Sequence, residues 1–264
     1  MRNKKVYYQA ALKAIKSEME SYPSLGLVSK INSGSHKDMD INDFYKSYEV
    51  FPAYLQAIKK NLNEIKTFLD LRIIGLKYEQ AMLEQTNQIN THKGLIFALG
   101  IFYYSLLKNR DKTKIIPEIK TFCFPLKEDF KGNLDTKGLA FYQQGINGAR
   151  QTALSGYQVV FDAYDFYYQL LVNQQLAENE VNFTLLLYFL VHIEDTTLIS
   201  KIGISSYRKV QIRASILLKK LQTNYQQATA EIETFNNWAI KNNISPGGSA
   251  DLLVLVDLLI FSNY

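Results

Sequence analysis

Cysteine is nearly absent from this chain, and proline, glycine and histidine are scarce. The 264 residues contain one cysteine, five prolines, thirteen glycines and three histidines. A single cysteine, Cys123, excludes an internal disulfide and suits a reducing cytoplasm. The few glycines gather in polar motifs, and two of the three histidines lie in those same motifs. We therefore look to these motifs for function.

The chain also lacks the patterns of a membrane, secreted or nucleic-acid-binding protein. The apolar run Leu252 to Phe261 is too short to span a membrane and carries Asp257. Charged residues soon follow the basic N-terminus, which leaves no apolar core for a signal peptide. The formal charge of +5 is modest and no concentrated basic stripe is present. We expect a cytoplasmic protein without membrane or nucleic-acid partners.

Helical periodicity is the main pattern that the sequence does contain. No alternating strand pattern is sustained, whereas one long segment repeats apolar residues at helical spacing, at Leu62, Ile65, Phe68, Leu69, Ile73 and Leu76. The chain length favours one domain. We predict an all-α protein, a single compact multi-helix domain over residues 1–264, with helices near 5–20, 41–60, 62–86, 93–108, 138–146, 148–174, 181–193, 204–223, 225–241 and 248–262. The interval 109–137 is predicted to be irregular, because it contains Pro117, Pro125 and Gly132.

The segment 244–253 holds the most informative motif. Pro246 cannot continue a preceding helix, and Gly247 and Gly248 allow close approach of a ligand. Ser249 is a good N-cap, and Asp251 lies in the first turn, where a carboxylate is favoured. The motif predicts either a tight helix entry or a helix N-terminus that binds phosphate.

A second motif, Gly34 to Asp40, combines a histidine, a lysine and two carboxylates. Asp38 and Asp40 are two residues apart in a predicted loop, so their oxygens can hold Mg²⁺ together with substrate phosphates. The alternative is that Asp40 caps the helix beginning near Ile41. Taken alone, the residues favour the cap.

The third motif, Asn90 to Gly94, precedes an apolar helix. Lys93 can reach phosphate as a point charge, and His92 can donate or accept a proton near neutral pH. A histidine followed directly by lysine is not expected in the core, because lysine is almost never fully buried. The alternative is a polar helix start capped by Asn90 or Thr91.

Other charged residues are candidates for the same site. Arg72 and Glu79 share a helix face two turns apart, where they are either solvated or directed at a substrate. Arg150, after Gly148 and Ala149, has a guanidinium suited to phosphate. Asp195 follows an apolar helix and either binds a metal or caps the next helix.

These motifs, in this order, resemble the triphosphoribosyl-dephospho-CoA synthase family. That family's pattern has P-K-P-G-L-V, G-A-H-x-D-M-D, N-T-H-K-G, G-A-R-G-E-A, D-T-N and S-P-G-G-S-A-D-L-L. The counterparts here are 23–28, 34–40, 90–94, 148–153, 195–197 and 245–253. The resemblance spans about residues 20–260.

The resemblance implies a transferase that joins ATP to 3′-dephospho-CoA and releases adenine. The product is the precursor of the prosthetic group on the acyl-carrier subunit of citrate lyase or malonate decarboxylase. It implies Mg²⁺ as a cofactor, and a homodimer is left open. The implied metal ligands are Asp38, Asp40 and Asp195, and the proton-transfer group is one of Glu79, His92 and Asp251. The implied substrate-binding residues are His36, Arg72, Thr86, Asn90, Lys93, Arg150, Lys201, Gly247, Gly248 and Ser249.

The chain departs from the family pattern at several positions. Ser24 and Leu25 replace Lys-Pro, Thr152 replaces a glutamate, and Lys201-Ile202 replaces Arg-Gly. These differences keep two other hypotheses open. One is a metal-dependent nucleotide phosphohydrolase, which would not release adenine. The other is a divergent member with an altered acceptor or lost activity.

Overall fold

The computed structural model describes residues 2–109, 111–132, 140–146, 148–171 and 174–264. Within these ranges the chain is all α, with no strand. The α-helices are α1 Arg2–Glu20, α2 Ile41–Tyr48, α3 Phe51–Lys60, α4 Phe68–Gln85, α5 Lys93–Lys108, α6 Lys112–Cys123, α7 Gly148–Leu154, α8 Gln158–Phe166, α9 Glu178–His192, α10 Thr196–Ile202, α11 Ile204–Thr223, α12 Tyr225–Lys241 and α13 Gly247–Ser262.

Two apolar helices form the centre of the core. Helix α13 packs against α1, α5, α8, α9 and α10, and helix α5 also packs against α3, α4, α6 and α7. Residues 252–259 of α13 are all buried, as the apolar run predicted. Because other helices surround both, the N-termini of α5 and α13 are held in fixed positions. Those N-termini carry two of the sequence motifs.

We predicted that residues 109–137 are irregular. This prediction was wrong for most of the residues that the structure describes in the interval. Helix α6 runs through Pro117, and a 3₁₀ segment, Phe124–Lys131, follows it. An interior proline costs a helix about 3 kcal/mol. Ile115, Ile119 and Cys123, at four-residue spacing, are each fully buried, and this burial outweighs the loss. Residues 133–137 of this interval lie outside the described residues.

Other helix boundaries also differ from prediction. The predicted helix 41–60 is two helices, because Pro52 begins a new one in its first turn. The predicted helix 62–86 begins only at Phe68, after a capping box formed by Thr67 and Asp70. At 138–146 the described residues 140–146 form turns and a short 3₁₀ segment rather than an α-helix.

The predicted helix 148–174 is broken at 155–157. Gly156 and Tyr157 both have positive φ, of 75° and 53°, which a right-handed helix does not accommodate. A Cβ at Gly156 would lie 2.6 Å from the Ile116 carbonyl oxygen. The close approach of α6 therefore requires glycine at the break. After it, α8 ends in a π-helical turn, Tyr167–Leu171.

No single helix among the described residues is long and apolar enough to cross a membrane. The pair Glu178–His192 and Thr196–Ile202, bent by 75°, meets the length and composition criteria only when taken together.

Candidate active site

A cavity of about 1740 Å³ opens where four helices begin. The first residues of α5, α7, α10 and α13 contribute Lys93, Gly148, Thr196 and Gly248 to its wall. Ligand pockets commonly occupy ~300–1,000 Å³, so this cavity has room for two substrates. The positive ends of the helix dipoles favour negatively charged ligands there.

The anion at the N-terminus of α13 is a side chain of this protein. Asp195 Oδ2 accepts hydrogen bonds from the Ser249 amide at 2.9 Å and the Ser249 hydroxyl at 3.1 Å. Its Oδ1 accepts from the Leu198 amide at 3.0 Å and caps α10. A Cβ at Gly248 would lie 3.1 Å from this carboxylate. The glycine therefore admits Asp195, and the Ser249 amide is not available to phosphate.

This arrangement contradicts one sequence-based assignment and bears on two others. Ser249 is not the N-cap, because α13 begins at Gly247 and has Pro246 at the N-cap position. Neither Gly247 nor Ser249 is among the described residues that line the cavity. Asp195 is buried and its oxygens are engaged by protein donors. Asp195 also lines the cavity. A metal ion there would have to displace these donors, and its role as a metal ligand stays a prediction.

Asp251 lines the cavity beside the start of α5. A Cβ at Gly94 would overlap its carboxylate, so glycine is required for this close packing. Burial, followed by the charges of Asp195 and Glu18, raises the pKa of Asp251 well above its usual value. Within the described part of the chain, no hydrogen bond engages this carboxyl. It is placed to exchange a proton with a ligand.

Two arginines meet on another part of the wall. Arg72 Nη2 and Arg150 Nε both donate to Oδ2 of Asp129, at 2.6 and 2.8 Å. Both arginines line the cavity, and their side chains are partly exposed. The sequence indicated the two arginines. It did not indicate Asp129, which belongs to no motif and lies in the interval predicted to be irregular.

Lys93 and Glu79 form an ion pair between α5 and α4. The Lys93 Nζ lies 2.5 Å from Glu79 Oε1, and both residues line the cavity. Lys93 is 56% exposed, whereas Glu79 is 19% exposed, so the lysine has the greater access to solvent. Asn90 also lines the cavity, and its side chain accepts a hydrogen bond from the Lys93 amide at 3.2 Å.

His92 and Thr86 are buried and do not line the cavity that the described residues form. His92 Nδ1 pairs with the Ser47 hydroxyl, and its ring packs edge-on against Phe44 and Phe51. Burial lowers the pKa of His92 to about 3. Thr86 donates to the carbonyl of Ile89 at 2.6 Å. Both residues shape the turn before α5.

The burial of His92 contradicts the argument from its lysine neighbour. His92 is 3% exposed while Lys93 is largely exposed. Successive residues at a helix start point about 100° apart, so one can face the core and the next the cavity. The expectation that His92 lies outside the core was wrong, and its role as the proton-transfer group stays a prediction.

The second motif forms another part of the wall. His36 Nε2 lies 2.7 Å from the Ser245 hydroxyl, and His36 Nδ1 lies 3.6 Å from Asp38 Oδ1. Lys201 Nζ donates to the Ser35 hydroxyl at 3.3 Å. Burial and the charge of Lys201 lower the pKa of His36, and Asp38 opposes this shift. The motifs near residues 36, 201 and 245 therefore meet here.

The three carboxylates proposed for Mg²⁺ do not form one site. Asp40 caps α2, accepting from the Asn42 amide at 2.7 Å, and Asp43 completes the capping box. The cap favoured by the residues alone is thus the observed geometry. Asp195 is engaged elsewhere, and only Asp38 lines the cavity with an exposed carboxylate. The described residues contain no cluster of three metal-binding side chains.

The departures from the family pattern lie in different environments. Ser24 and Leu25 are buried, and their amides donate to the Asn236 side chain at 3.1 and 3.0 Å. Thr152 and Lys201 line the cavity. Ser35 and Thr197, which also differ from the quoted family strings, line it too. Differences in binding are therefore expected to arise at these four positions.

Known proteins resemble this chain over nearly its whole length. Residues 4–260 match the family model described as CitG, ATP:dephospho-CoA triphosphoribosyl transferase. A protein from Haemophilus ducreyi, named 2-(5″-triphosphoribosyl)-3′-dephosphocoenzyme-A synthase, is 34% identical over 94% of this chain and 84% of its own.

Two relatives carry the same name preceded by "probable". The Vibrio cholerae (strain M66-2) protein is 33% identical over 94% of this chain and 85% of its own. The Photobacterium profundum protein is 32% identical over 95% of this chain and 85% of its own. No solved structure matches significantly. The chain belongs to the ATP:dephospho-CoA triphosphoribosyl transferase family.

Proposed function

We propose that this protein transfers the 5-triphosphoribosyl group of ATP to the 2′-hydroxyl of 3′-dephospho-CoA. The acceptor oxygen bonds to the anomeric carbon of the ribose, the bond from that carbon to adenine N9 breaks, and adenine leaves with a proton. The observation that carries the proposal is the match to the family over residues 4–260. The meeting of its polar motifs at one large cavity supports it.

The triphosphate is assigned to the wall formed by Arg72, Arg150 and Lys93. These side chains come from α4, α7 and α5 and line the cavity together. Guanidinium groups bind phosphate oxygens in a planar, bidentate way, and a lysine adds a point charge. Gripping the triphosphate would fix the ribose, and orienting reactants in this way lowers the barrier.

Asp251 is assigned the role of proton donor to the departing adenine. A carboxyl with a raised pKa keeps its proton at a higher pH and so serves as a general acid. Its alternatives are less suitable, since His92 is buried and Glu79 is paired with Lys93. The acid and the triphosphate wall meet at the N-terminus of α5, where Gly94 contacts Asp251.

Mg²⁺ is proposed as a companion of the ATP phosphates. Mg²⁺ in nucleotide sites commonly uses one or two carboxylates, substrate phosphates and water. Asp38 is the one carboxylate of the three considered that remains available at the cavity. The protein alone therefore supplies part of a coordination shell.

The product would serve as the prosthetic-group precursor of an acyl-carrier subunit, in the cytoplasm and without a membrane or nucleic-acid partner. Incubation with ATP, Mg²⁺ and 3′-dephospho-CoA, followed by chromatography, tests the proposal. The expected products are free adenine and the joined nucleotide. Release of ADP or pyrophosphate without adenine would instead identify a phosphohydrolase. ATP binding without turnover would indicate an altered acceptor or lost activity.

A further inference from the structure

We infer that Asp129 is a positioning residue that holds Arg72 and Arg150 together as one anion-binding fork. The two arginines come from different helices, α4 and α7, and Asp129 comes from the 3₁₀ segment between α6 and α7. One carboxylate oxygen, Oδ2, accepts from both guanidiniums, at 2.6 and 2.8 Å. The identification of the anion as the triphosphate of ATP rests on the proposed function.

The contacts leave most of each guanidinium available. An arginine has five N–H donors, and each of these two uses one donor for Asp129. The described residues offer no other hydrogen-bond acceptor to either group. Arg72 also lies over the Phe68 ring, 4.9 Å from its centroid. Both residues line the cavity, so a multiply charged anion bound there can use the remaining donors of both arginines.

Asp129 stabilises the close placement of Arg72 and Arg150, which is unfavourable for the two arginines alone. Two positive charges that share a partner repel each other, and the carboxylate between them offsets this repulsion. Burial raises the pKa of Asp129, but hydrogen bonds and charges from Arg72 and Arg150 outweigh burial and lower it. The carboxylate is therefore ionised at neutral pH, and the group of three side chains keeps a net positive charge.

Two roles for Asp129 give opposite results on mutation. If the carboxylate only competes with the ligand, its removal makes the wall more positive and anions bind more tightly. If it positions the arginines, its removal separates them and anions bind more weakly despite the added positive charge. The shared Oδ2 contact favours positioning, because it fixes both guanidiniums at once.

The test is calorimetric titration of the full-length protein with inorganic tripolyphosphate at fixed ionic strength. Asp129→Ala should bind at least about tenfold more weakly than wild type, the equivalent of one charged hydrogen bond. Glu128→Ala is the matched control, since it makes the same charge change next to Asp129. Glu128 is 70% exposed, pairs with Lys131 and does not line the cavity that the described residues form. The affinity of Glu128→Ala for tripolyphosphate should stay within about twofold of the wild-type affinity.

Further variants keep the test decisive. If Asp129→Ala does not fold, the isosteric variant Asp129→Asn is titrated instead. Asp129→Asn should also bind tripolyphosphate more weakly than Glu128→Ala does. In an Arg150→Ala background, removing Asp129 should weaken tripolyphosphate binding little further, because Asp129 then has only one arginine to position. In turnover assays the KM for ATP should rise while the KM for dephospho-CoA stays unchanged, and Asp129→Glu should recover part of the loss.

Three results would overturn the inference. They are equal or tighter tripolyphosphate binding by the Asp129 variants, no tripolyphosphate binding by wild type, and an equal effect on both KM values. Failure of the proposed function is distinguishable from these. A wild-type protein that binds tripolyphosphate through the fork but releases no adenine would refute the reaction and leave the role of Asp129 intact.

Discussion

Replacing Asp251 by asparagine is expected to stabilise the fold while it removes activity. The side chain is partly buried between the start of α5 and α13, and burial is the main cause of its raised pKa. Asparagine has nearly the same shape and carries no charge. Above the unfolded pKa, the folded wild type must either keep this carboxyl protonated or bury its charge, and asparagine removes both costs. The variant also removes the proposed proton donor.

The pH dependence follows from the direction of the pKa shift. A carboxyl whose pKa is higher in the folded protein than in the unfolded chain binds its proton more tightly when folded. Its contribution to stability is fully present below the unfolded pKa, ~3.9, and is lost as the pH rises through the folded pKa. Across that window the advantage of Asp251→Asn should grow by about 1.4 kcal/mol per pH unit.

Urea unfolding of wild type and Asp251→Asn at several pH values measures this difference, and a parallel assay measures adenine release. Loss of a general acid lowers turnover by ~10²–10⁴-fold. Asp38→Asn is the control for stability, because replacing an exposed carboxylate should change the free energy of unfolding by less than ~0.5 kcal/mol. A stability difference for Asp251→Asn that does not vary with pH would refute the reasoning, and so would normal adenine release.

Three other substitutions test separate parts of the cavity. Lys93→Ala should weaken ATP binding roughly ten- to a hundredfold in calorimetry, since a charged hydrogen bond is worth about 1.5–3 kcal/mol; unchanged affinity would remove Lys93 from the phosphate site. Asp38→Asn should abolish turnover at limiting Mg²⁺ without lowering the melting temperature, and normal turnover would exclude it as a metal ligand. Gly94→Ala should reduce kcat, because its Cβ displaces the Asp251 carboxylate. In an Asp251→Asn background the same change should reduce kcat little further, and an equal reduction in both backgrounds would argue against this contact.

The sequence by itself determined the family and much of the helical framework. Helices α5, α11 and α12 have the predicted bounds, and α13 begins one residue early. Helices α11 and α12 carry apolar residues at helical spacing, and α5 and α13 are continuous apolar runs, so the information is local. The ordered polar motifs indicated the family, because strings such as those at 90–94 and 245–253 are specific.

Helix bounds predicted from local sequence were wrong where packing against residues distant in the chain determines whether a helix continues. Pro117 predicted a break, but the full burial of Ile115 and Ile119 keeps α6 intact. The single helix expected over 148–174 breaks at Gly156, where α6 approaches closely. A propensity of a few kcal/mol is outweighed by the packing of several apolar side chains.

Only the tertiary structure decided which polar group meets which. Asp195 binds the N-terminus of α13, 54 residues away, and takes the amide that the sequence assigned to phosphate. Asp129 joins Arg72 and Arg150 across 57 and 21 residues, and His92 turns inward while Lys93 faces the cavity. Helical period fixes where side chains lie along a helix, whereas the partner of a buried polar atom depends on which helices pack together.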